Sequence, residues 1–412
     1  MRKSKFLSVL TATTLALTLA VPTVMPLELT TGVVKAVEVT TTAPSQKIEG
    51  RCGDNAIYSY DKATRTLTIS GTGAMWNGTK YSYLGTVDKI VIGNGITVIS
   101  TGAFAKMFVG RITIPKTVRT VEPYAFSSVV KVVVEGDMNN FQCGALGEEV
   151  LEVELKGSAE TLGLALAKMQ YRNYLSVTIP KDNNRVRIEN GCIVSSDGKT
   201  VYYHISDSKK VTIPDTAVTI KSAAFYNQVI EEVKLGKNVK TIEPYAFEEN
   251  PVSKLTTNSK LKKIGRCAFM GTDLKKVTLK SSVAMSPNAF NQSVILTSTK
   301  SLKSAKTVMT SATFKKNKIN AKFAKLTGAK GYQVQIKKGG KTYKYFTTKT
   351  SIKVKAPKVF KKKYNVSFSY DIDNYTSKIE GKPAYISVRP YKIVKKNKKS
   401  YGKWSEKIVL TK

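Results

Sequence analysis

Four features of this chain could do chemistry: one histidine, four cysteines, a glycine pair and a short acidic loop. Each falls short on spacing. His204 follows Val201-Tyr202-Tyr203 on a strand of a hairpin and reads as structural. Cys52, Cys143, Cys192 and Cys267 lack the C-x-x-C spacing of a zinc site. Cys143 and Cys267 fall five coils apart in the repeat described below, roughly 24 Å by strand spacing and beyond disulfide reach. The cysteines therefore read as buried free thiols. No helix pattern follows Gly71-x-Gly73, as a phosphate loop would require. Asp371-x-Asp373-Asn374 begins like a calcium loop, but its twelfth position is Lys382 and its surroundings are cationic. No metal and no cofactor is expected, and the chemistry that remains is charge.

Charge is the unusual quantity. The 412 residues carry 67 Lys and Arg against 29 Asp and Glu, a net of +38. A composition that is 42% hydrophobic and 23% charged belongs to a folded chain rather than a disordered one. Such an excess calls for polyanions: nucleic acid, anionic lipid, or the polymers of a wall or matrix.

The N-terminal residues choose among these. Met1-Arg2-Lys3-Ser4-Lys5 precedes a mostly apolar run, Phe6 to Pro22, and Val34-Lys35-Ala36 offers a small-residue cleavage site. This is the pattern of a secretory signal peptide over 1–36. An uncleaved anchor is the alternative, with an apolar run of only about 17 residues against it. Export makes nucleic acid an unsuitable partner and predicts no integral membrane span after signal cleavage. Neither a second apolar span nor an LPxTG-like sorting signal follows.

A repeat of 22 residues fills the middle of the chain. Ile90, Ile92, Ile96, Ile99, Ala103 and Phe104 recur as Ile112, Ile114, Val118, Val121, Ala125 and Phe126. The register returns at Val211 to Phe225, at Val233 to Phe247, at Leu255 to Phe269 and, one residue shorter, at Val277 to Phe290. Weaker copies without the Ala-Phe pair run from Val132 to Leu146 and from Val153 to Ala167. A ninth copy opens at Val177 and Ile179 and is interrupted by Ile188 to Ile205, a predicted hairpin turning at Ser196-Asp197-Gly198-Lys199. The first two apolar positions share one face of a short strand, and glycine or proline then turns the chain in five of nine units. One unit cannot bury its apolar row alone, so neighbours must stack into a solenoid. Phe104, Phe126, Phe225, Phe247, Phe269 and Phe290 are expected to line a single interior column.

The run Ile-x-Ile-Pro-x-x-Val-x-x-Val-x-x-x-Ala-Phe at 112–126, nearly repeated at 211–225, resembles the BspA-type leucine-rich repeat of bacterial surface proteins. The segment from Cys52-Gly53-Asp54-Asn55 to Gly73-Ala74-Met75 is similar to the module that often precedes such repeats. Asn190-Gly191-Cys192-Ile193-Val194 with Asp197-Gly198-Lys199-Thr200-Val201 is similar to a hairpin that many members carry. The resemblance covers about 51–295. It implies a right-handed solenoid with a surface-binding role, most often adhesion, and brings no catalytic residues.

The last quarter holds most of the charge. Residues 301–412 contain 30 Lys and Arg against four acids, a net of +26. Alternating runs such as Gly331 to Ile336, Ser351 to Lys355 and Tyr385 to Arg389 predict a β-sandwich. Gly328 to Val334 and Tyr401-Gly402-Lys403-Trp404-Ser405 resemble the fibronectin type III-like (Ig-like) modules of bacterial surface proteins. Phe323 stands in place of the usual early tryptophan, and 364–383 reads as extra sequence. The expected organisation is a signal peptide at 1–36, a linker at 37–50, the leucine-rich-repeat solenoid with its N-terminal module at 51–295, a linker at 296–311 and the sandwich at 312–412.

The outward strand positions of the repeat supply the candidate site. One residue before the first apolar position, six of nine units are basic: Lys89, Arg111, Lys131, Lys210, Lys254 and Lys276. One residue after it, five are threonine: Thr113, Thr178, Thr212, Thr256 and Thr278. Stacking would set a basic row beside a threonine row, either as a ligand face or as a merely soluble sheet, since threonine forms exposed strands well. The function expected is a non-enzymatic secreted or cell-surface binding protein. Its partners would be a host or matrix protein or glycan through the solenoid, and anionic cell-wall polymers through the basic module. An exported wall enzyme targeted by its repeats and a purely structural wall component are the alternatives.

Overall fold

The computed structural model describes residues 47–410 apart from 79–80, 170–173, 292, 300, 358–359, 361–364, 369–376, 381–382 and 395–396. The expected signal peptide, its cleavage site and the acidic loop at Asp371 lie outside the described residues. Residues 46–412 form a single unit.

Short strands dominate, and the described helices are single turns such as Leu162–Ala165. The first strands of successive coils pair in parallel and in the register the repeat predicts. Ile112 lies opposite Val132, Val132 opposite Val153, and Val153 opposite Val177. In the later coils Val211 lies opposite Val233 and Val233 opposite Leu255. A second parallel row forms from the ninth-offset residues, with Ile220, Ile242, Ile264 and Met285 side by side. From Val211 to Leu255 each coil closes against the next through two ladders, while its own Ile, Val and Leu side chains turn inward and are buried.

The corner before each Ala-Phe pair is left-handed. Tyr124, Ala223, Tyr245, Cys267 and Asn288 have φ of 55°, 56°, 61°, 52° and 58°, and Gly102 and Gly144 take the same place in their coils. The corner turns the chain so that the phenylalanine points inward and its N–H reaches the next coil. The N–H groups of Phe104, Phe225 and Phe247 each donate at 2.8 Å to the carbonyl of the alanine one coil on: Ala125, Ala246 and Ala268.

All six phenylalanines are buried, but they form two stacks rather than the single column expected. One stack is Tyr81, Phe104 and Phe126, and the other is His204, Phe225, Phe247, Phe269 and Phe290. The weak copies, with Leu146 where the ring should be, separate them. The predicted hairpin explains the division further. It belongs to a three-stranded antiparallel meander, Val186–Glu189, Cys192–Ser195 and Thr200–His204, whose last strand pairs in parallel with Thr219–Ile220. Cys192, Val194 and Val201 face the later core, whereas Ile193, Tyr202 and Tyr203 face the earlier one. The meander is thus an internal plate, apolar on both faces, and not a surface insertion. The N-terminal strands Lys47–Arg51, Asn55–Asp61 and Thr66–Ala74 form the same kind of meander, and the third of them feeds the first parallel row.

Asn250 is fully buried beneath the later stack. Its Oδ1 accepts from the N–H groups of Gln228 (2.9 Å) and Ile230 (3.1 Å), and its Nδ2 donates to the carbonyls of Phe225 (2.6 Å), Phe247 (3.1 Å) and Glu248 (3.0 Å). One side chain thus bonds to backbone groups of two coils at the bend.

Beyond the coils lie two antiparallel sheets. Met309–Lys315, Lys318–Phe323 and Ser351–Lys355 make one. Lys341–Thr347, Gly331–Lys338, Tyr385–Ile393 and Lys399–Tyr401, in that order, make the other, and Ile408–Val409 also pairs with Tyr385–Ile393. Ile319, Phe323, Val334, Ile336, Ile386 and Val388 meet between them in the same apolar cluster as the last coils. Within 296–311, expected as a linker, the chain instead carries part of the strand Ile295–Ser298, which pairs with Lys276–Leu279 on one side and with Lys325–Leu326 on the other. The Leu326 N–H donates to the Tyr332 hydroxyl at 2.8 Å, which holds this strand from its own module.

Candidate functional site

The outward face of the first-strand row is where the candidate residues fall. Lys89, Arg111, Thr178, Lys210, Thr212, Lys254, Thr256, Lys276 and Thr278 are exposed there, while Lys131 and Thr113 are half-buried. Register decides which of them meet. Arg111 lies beside Lys131, Lys131 beside Glu152, and Glu152 beside Ser176. Further along, Glu232 sits between Lys210 and Lys254. The threonine row runs Thr113, Val133, Glu154, Thr178 in the earlier block and Thr212, Lys234, Thr256 in the later one. Thr278 faces Thr297 and Lys276 faces Ile295 in the last block, and Lys89 pairs with Thr66 of the N-terminal meander.

The face is therefore a mixed-charge ladder. Lys131 Nζ lies 3.1 Å from Glu152 and 3.6 Å from Glu154. Glu232 accepts from both Lys210 and Lys254 at 3.1 Å. These hydrogen bonds, that from Lys254 above all, hold the Glu232 carboxyl below its ordinary pKa. The same pattern repeats round the coil in Lys209–Glu231 (2.8 Å), Lys237–Asp215 (2.7 Å) and Lys221–Glu243 (3.3 Å). In each of these three pairs the partners lie one 22-residue turn apart, so the repeat that stacks the core also brings opposite charges together. Exposed pairs of this kind contribute little stability singly, but Glu152, Glu154 and Glu232 offset part of the positive charge that Lys89, Arg111, Lys131, Lys210, Lys234, Lys254 and Lys276 give the face. The glutamates at the lysine offset, Glu152 and Glu232, were the signal for this in the sequence.

Two grooves open beside the ladders. One, of about 320 Å³, runs between the second row and the last strand and is lined by Glu243, Lys263, Arg266, Lys407 and Val409 among others. The second, of about 350 Å³, is lined by His204, Asp207, Gln228 and Val229 among others. His204 Nδ1 is hydrogen-bonded to Gln228 Oε1 at 2.9 Å, and Gln228 Nε2 donates to the His204 carbonyl at 3.1 Å. Burial lowers the imidazole pKa, so His204 is a neutral, packed ring. All four cysteines are buried thiols outside any disulfide, and burial pushes Cys192 and Cys267 up to about 12, far from a reactive thiolate.

Residues 53–148 and 196–320 match, in 6 copies, the family described as BspA type Leucine rich repeat region. The chain belongs to that family. No curated protein matches it. Among solved structures, it is similar to the pneumococcal vaccine antigen PcpA, at 13% identity over 62% of this chain and 82% of that one, with a TM-score of 0.36. It is also similar to a leucine-rich repeat protein from Eubacterium ventriosum, at 16% identity over 60% of this chain and 95% of that one, with a TM-score of 0.30. Family membership accounts for the stacked coils on both sides of the meander. Among the described residues, no helix is long and apolar enough to cross a membrane, and no cluster of three or more His, Cys, Asp or Glu could hold a metal.

Proposed function

We propose that this is a secreted or surface-displayed, non-enzymatic binding protein that engages a host or matrix protein or glycan through its solenoid and is retained at an anionic cell wall by its C-terminal module. That module is read as a fibronectin III-like sandwich, supported by its division into one three-stranded and one five-stranded sheet. Family membership supports surface display, since repeats of this type occur on bacterial surface proteins.

The observation that carries the proposal is the segregation of charge. In 51–295, 31 Lys and Arg stand against 22 Asp and Glu, and many of the acids meet a lysine one turn away. In 301–412, 30 basic residues face four acids, so no internal arrangement can neutralise the module. Unbalanced charge of that size exceeds what solubility requires and fits a polyanion.

The test is to add the full chain to bacterial walls with and without their phosphate polymers and to wash with rising salt. Retention should require the polymers and fall off as the Debye length shrinks from ~10 Å at 0.1 M to ~3 Å near 1 M. Equal retention on both walls, or indifference to salt, sinks the wall-holding role. For the solenoid, the full chain is screened on immobilised matrix proteins and glycans. Thr212→Arg with Thr256→Arg should abolish binding to any hit, and undiminished binding would place the ligand elsewhere.

A further inference from the structure

The outer face of the five-stranded sheet carries a cluster that bulk charge does not explain. Register sets Phe346, Gln333 and Arg389 in one line across three strands, and Gly331, Tyr391 and Tyr401 in the next. Their strand neighbours Val334, Ile336, Ile386 and Val388 point the other way, into the core. The Arg389 guanidinium lies over Tyr401 at 4.0 Å and over Trp404 at 4.5 Å, and its Nε donates to Gln333 Oε1 at 2.8 Å. Lys399 Nζ lies over Phe346 at 5.0 Å and Tyr391 at 5.5 Å. Edge contacts of 6.0 Å between Phe346 and Tyr391, and 6.1 Å between Tyr391 and Tyr401, brace the rings. Tyr391 fits because Gly331 lies beneath it: a Cβ there would stand 2.6 Å from the phenol oxygen.

Two facts make this more than packing. A half-buried guanidinium ordinarily takes a carboxylate partner, yet Gly331–Lys338, Lys341–Thr347, Tyr385–Ile393 and Lys399–Tyr401 contain no acidic residue. Rings and one amide also fix the two cations without supplying negative charge. Arginine has five N–H donors in a planar fork, and the Gln333 bond uses one of them. A fork immobilised on aromatic rings is preorganised to grip two oxygens of a phosphate, and a neighbouring lysine adds a point charge.

We propose that Arg389 and Lys399, held on the Phe346–Tyr391–Tyr401–Trp404 ring cluster, form the phosphate-binding site through which this module grips a phosphodiester-linked wall polymer. The proposal rests on the wall-retention reading above and locates it at one face. The occupant follows from charge complementarity: four strands that carry fixed cations and no acid suit a chain of evenly spaced phosphates.

The experiment uses the full chain and polyglycerol phosphate as probe, with polygalacturonate as the carboxylated comparison. Binding is read both by affinity and by Trp404 emission in a Trp76→Phe background, since the chain has two tryptophans. The Arg389→Gln and Lys399→Gln variants should each lower affinity for the polyphosphate on the order of tenfold, and the emission change should vanish in Arg389→Gln. Arg389→Lys keeps the charge but not the fork and should also lose affinity. Lys318→Gln with Lys353→Gln removes two charges from exposed positions of the other sheet and should cost about twofold at most. Lys399 is exposed, so its variant folds and keeps the test open if the Arg389 variants do not. Equal losses in the control pair, or equal affinity for polygalacturonate, would overturn the site while leaving wall retention standing. Failure of the unaltered chain to bind phosphate-bearing walls would overturn both.

Discussion

The imidazole of His204 rests on the ring of Phe225 with centroids 5.2 Å apart, and the His204 backbone N–H donates to the Ala224 carbonyl as the Phe225 N–H donates to that of Ala246. His204 therefore holds the phenylalanine position of its coil and heads the later stack. Burial lowers its pKa, and the hydrogen bond to Gln228 and the charge of Asp207 oppose that shift without reversing it. The unfolded chain, with a histidine pKa near ~6.5, then binds more protons than the folded one at mildly acid pH. The stability His204 contributes is complete above about pH 6.5 and is lost as pH falls toward the folded value. His204→Phe should remove this dependence and change neutral-pH stability by about 1 kcal/mol or less. Thermal melts of both chains across pH 5 to 8 check it. A stability difference that stays constant over that range would refute the assignment.

Phe247 lies between Phe225, at 4.6 Å, and Phe269, at 5.0 Å. Truncation to alanine leaves a cavity that two rigid neighbours cannot fill, so Phe247→Ala should cost ~3–5 kcal/mol by denaturant unfolding. Phe108, 68% exposed, provides the comparison: Phe108→Ala should change stability by about 0.5 kcal/mol or less.

Asn250→Leu keeps the side-chain volume and removes five hydrogen bonds to backbone. The stranded N–H of Ile230, buried beneath the stack, cannot reach water, and that of Gln228 loses its partner. A loss of at least about 3 kcal/mol is expected, together with faster amide exchange at those two positions. Slow exchange at both in the variant would show that other groups take over.

Glu249 and Gly271 occupy equivalent left-handed positions one coil apart, with φ of 55° and 70°. Glu249 has a Cβ to accommodate there and glycine does not. Glu249→Gly should stabilise by roughly 0.5–1 kcal/mol once the entropy of glycine is set against the relieved strain, and Gly271→Ala should do the reverse. Equal signs for the two substitutions would dismiss the equivalence.

The coils were legible because their signal is apolar and periodic: Ile112, Val132 and Val153 announce a shared face whatever surrounds them. The left-handed corners were not, because alanine, tyrosine and cysteine at 223, 245 and 267 carry none of the composition that marks positive φ. Tertiary stacking imposes it. The meander was half legible. Its hairpin turn showed, but the unbroken apolar runs Cys192-Ile193-Val194 and Val201-Tyr202-Tyr203, the mark of a strand buried on both faces, look in sequence like ordinary hairpin strands. On the outward face, the lysines and threonines were visible by offset, whereas the pairing of Glu232 with two lysines needs the register of three coils. The Arg389 cluster draws on residues up to 71 positions apart, from Gln333 to Trp404, and no local pattern announces it.

The strand Lys325–Leu326, laid along Ile295–Ser298, has a consequence for assembly. A stack of parallel coils that simply stopped would present a row of unpaired N–H and C=O groups with the spacing of its own repeat, an invitation for another copy to continue the stack. Here the following module donates two residues of backbone, pinned by the Tyr332 hydroxyl, and closes that row from within the same chain. The module thus acts as a stopper against end-to-end growth. A chain cut after Ser298 keeps the last strand, loses the module that covers it and should polymerise, its light scattering rising with concentration, while the intact chain stays dispersed.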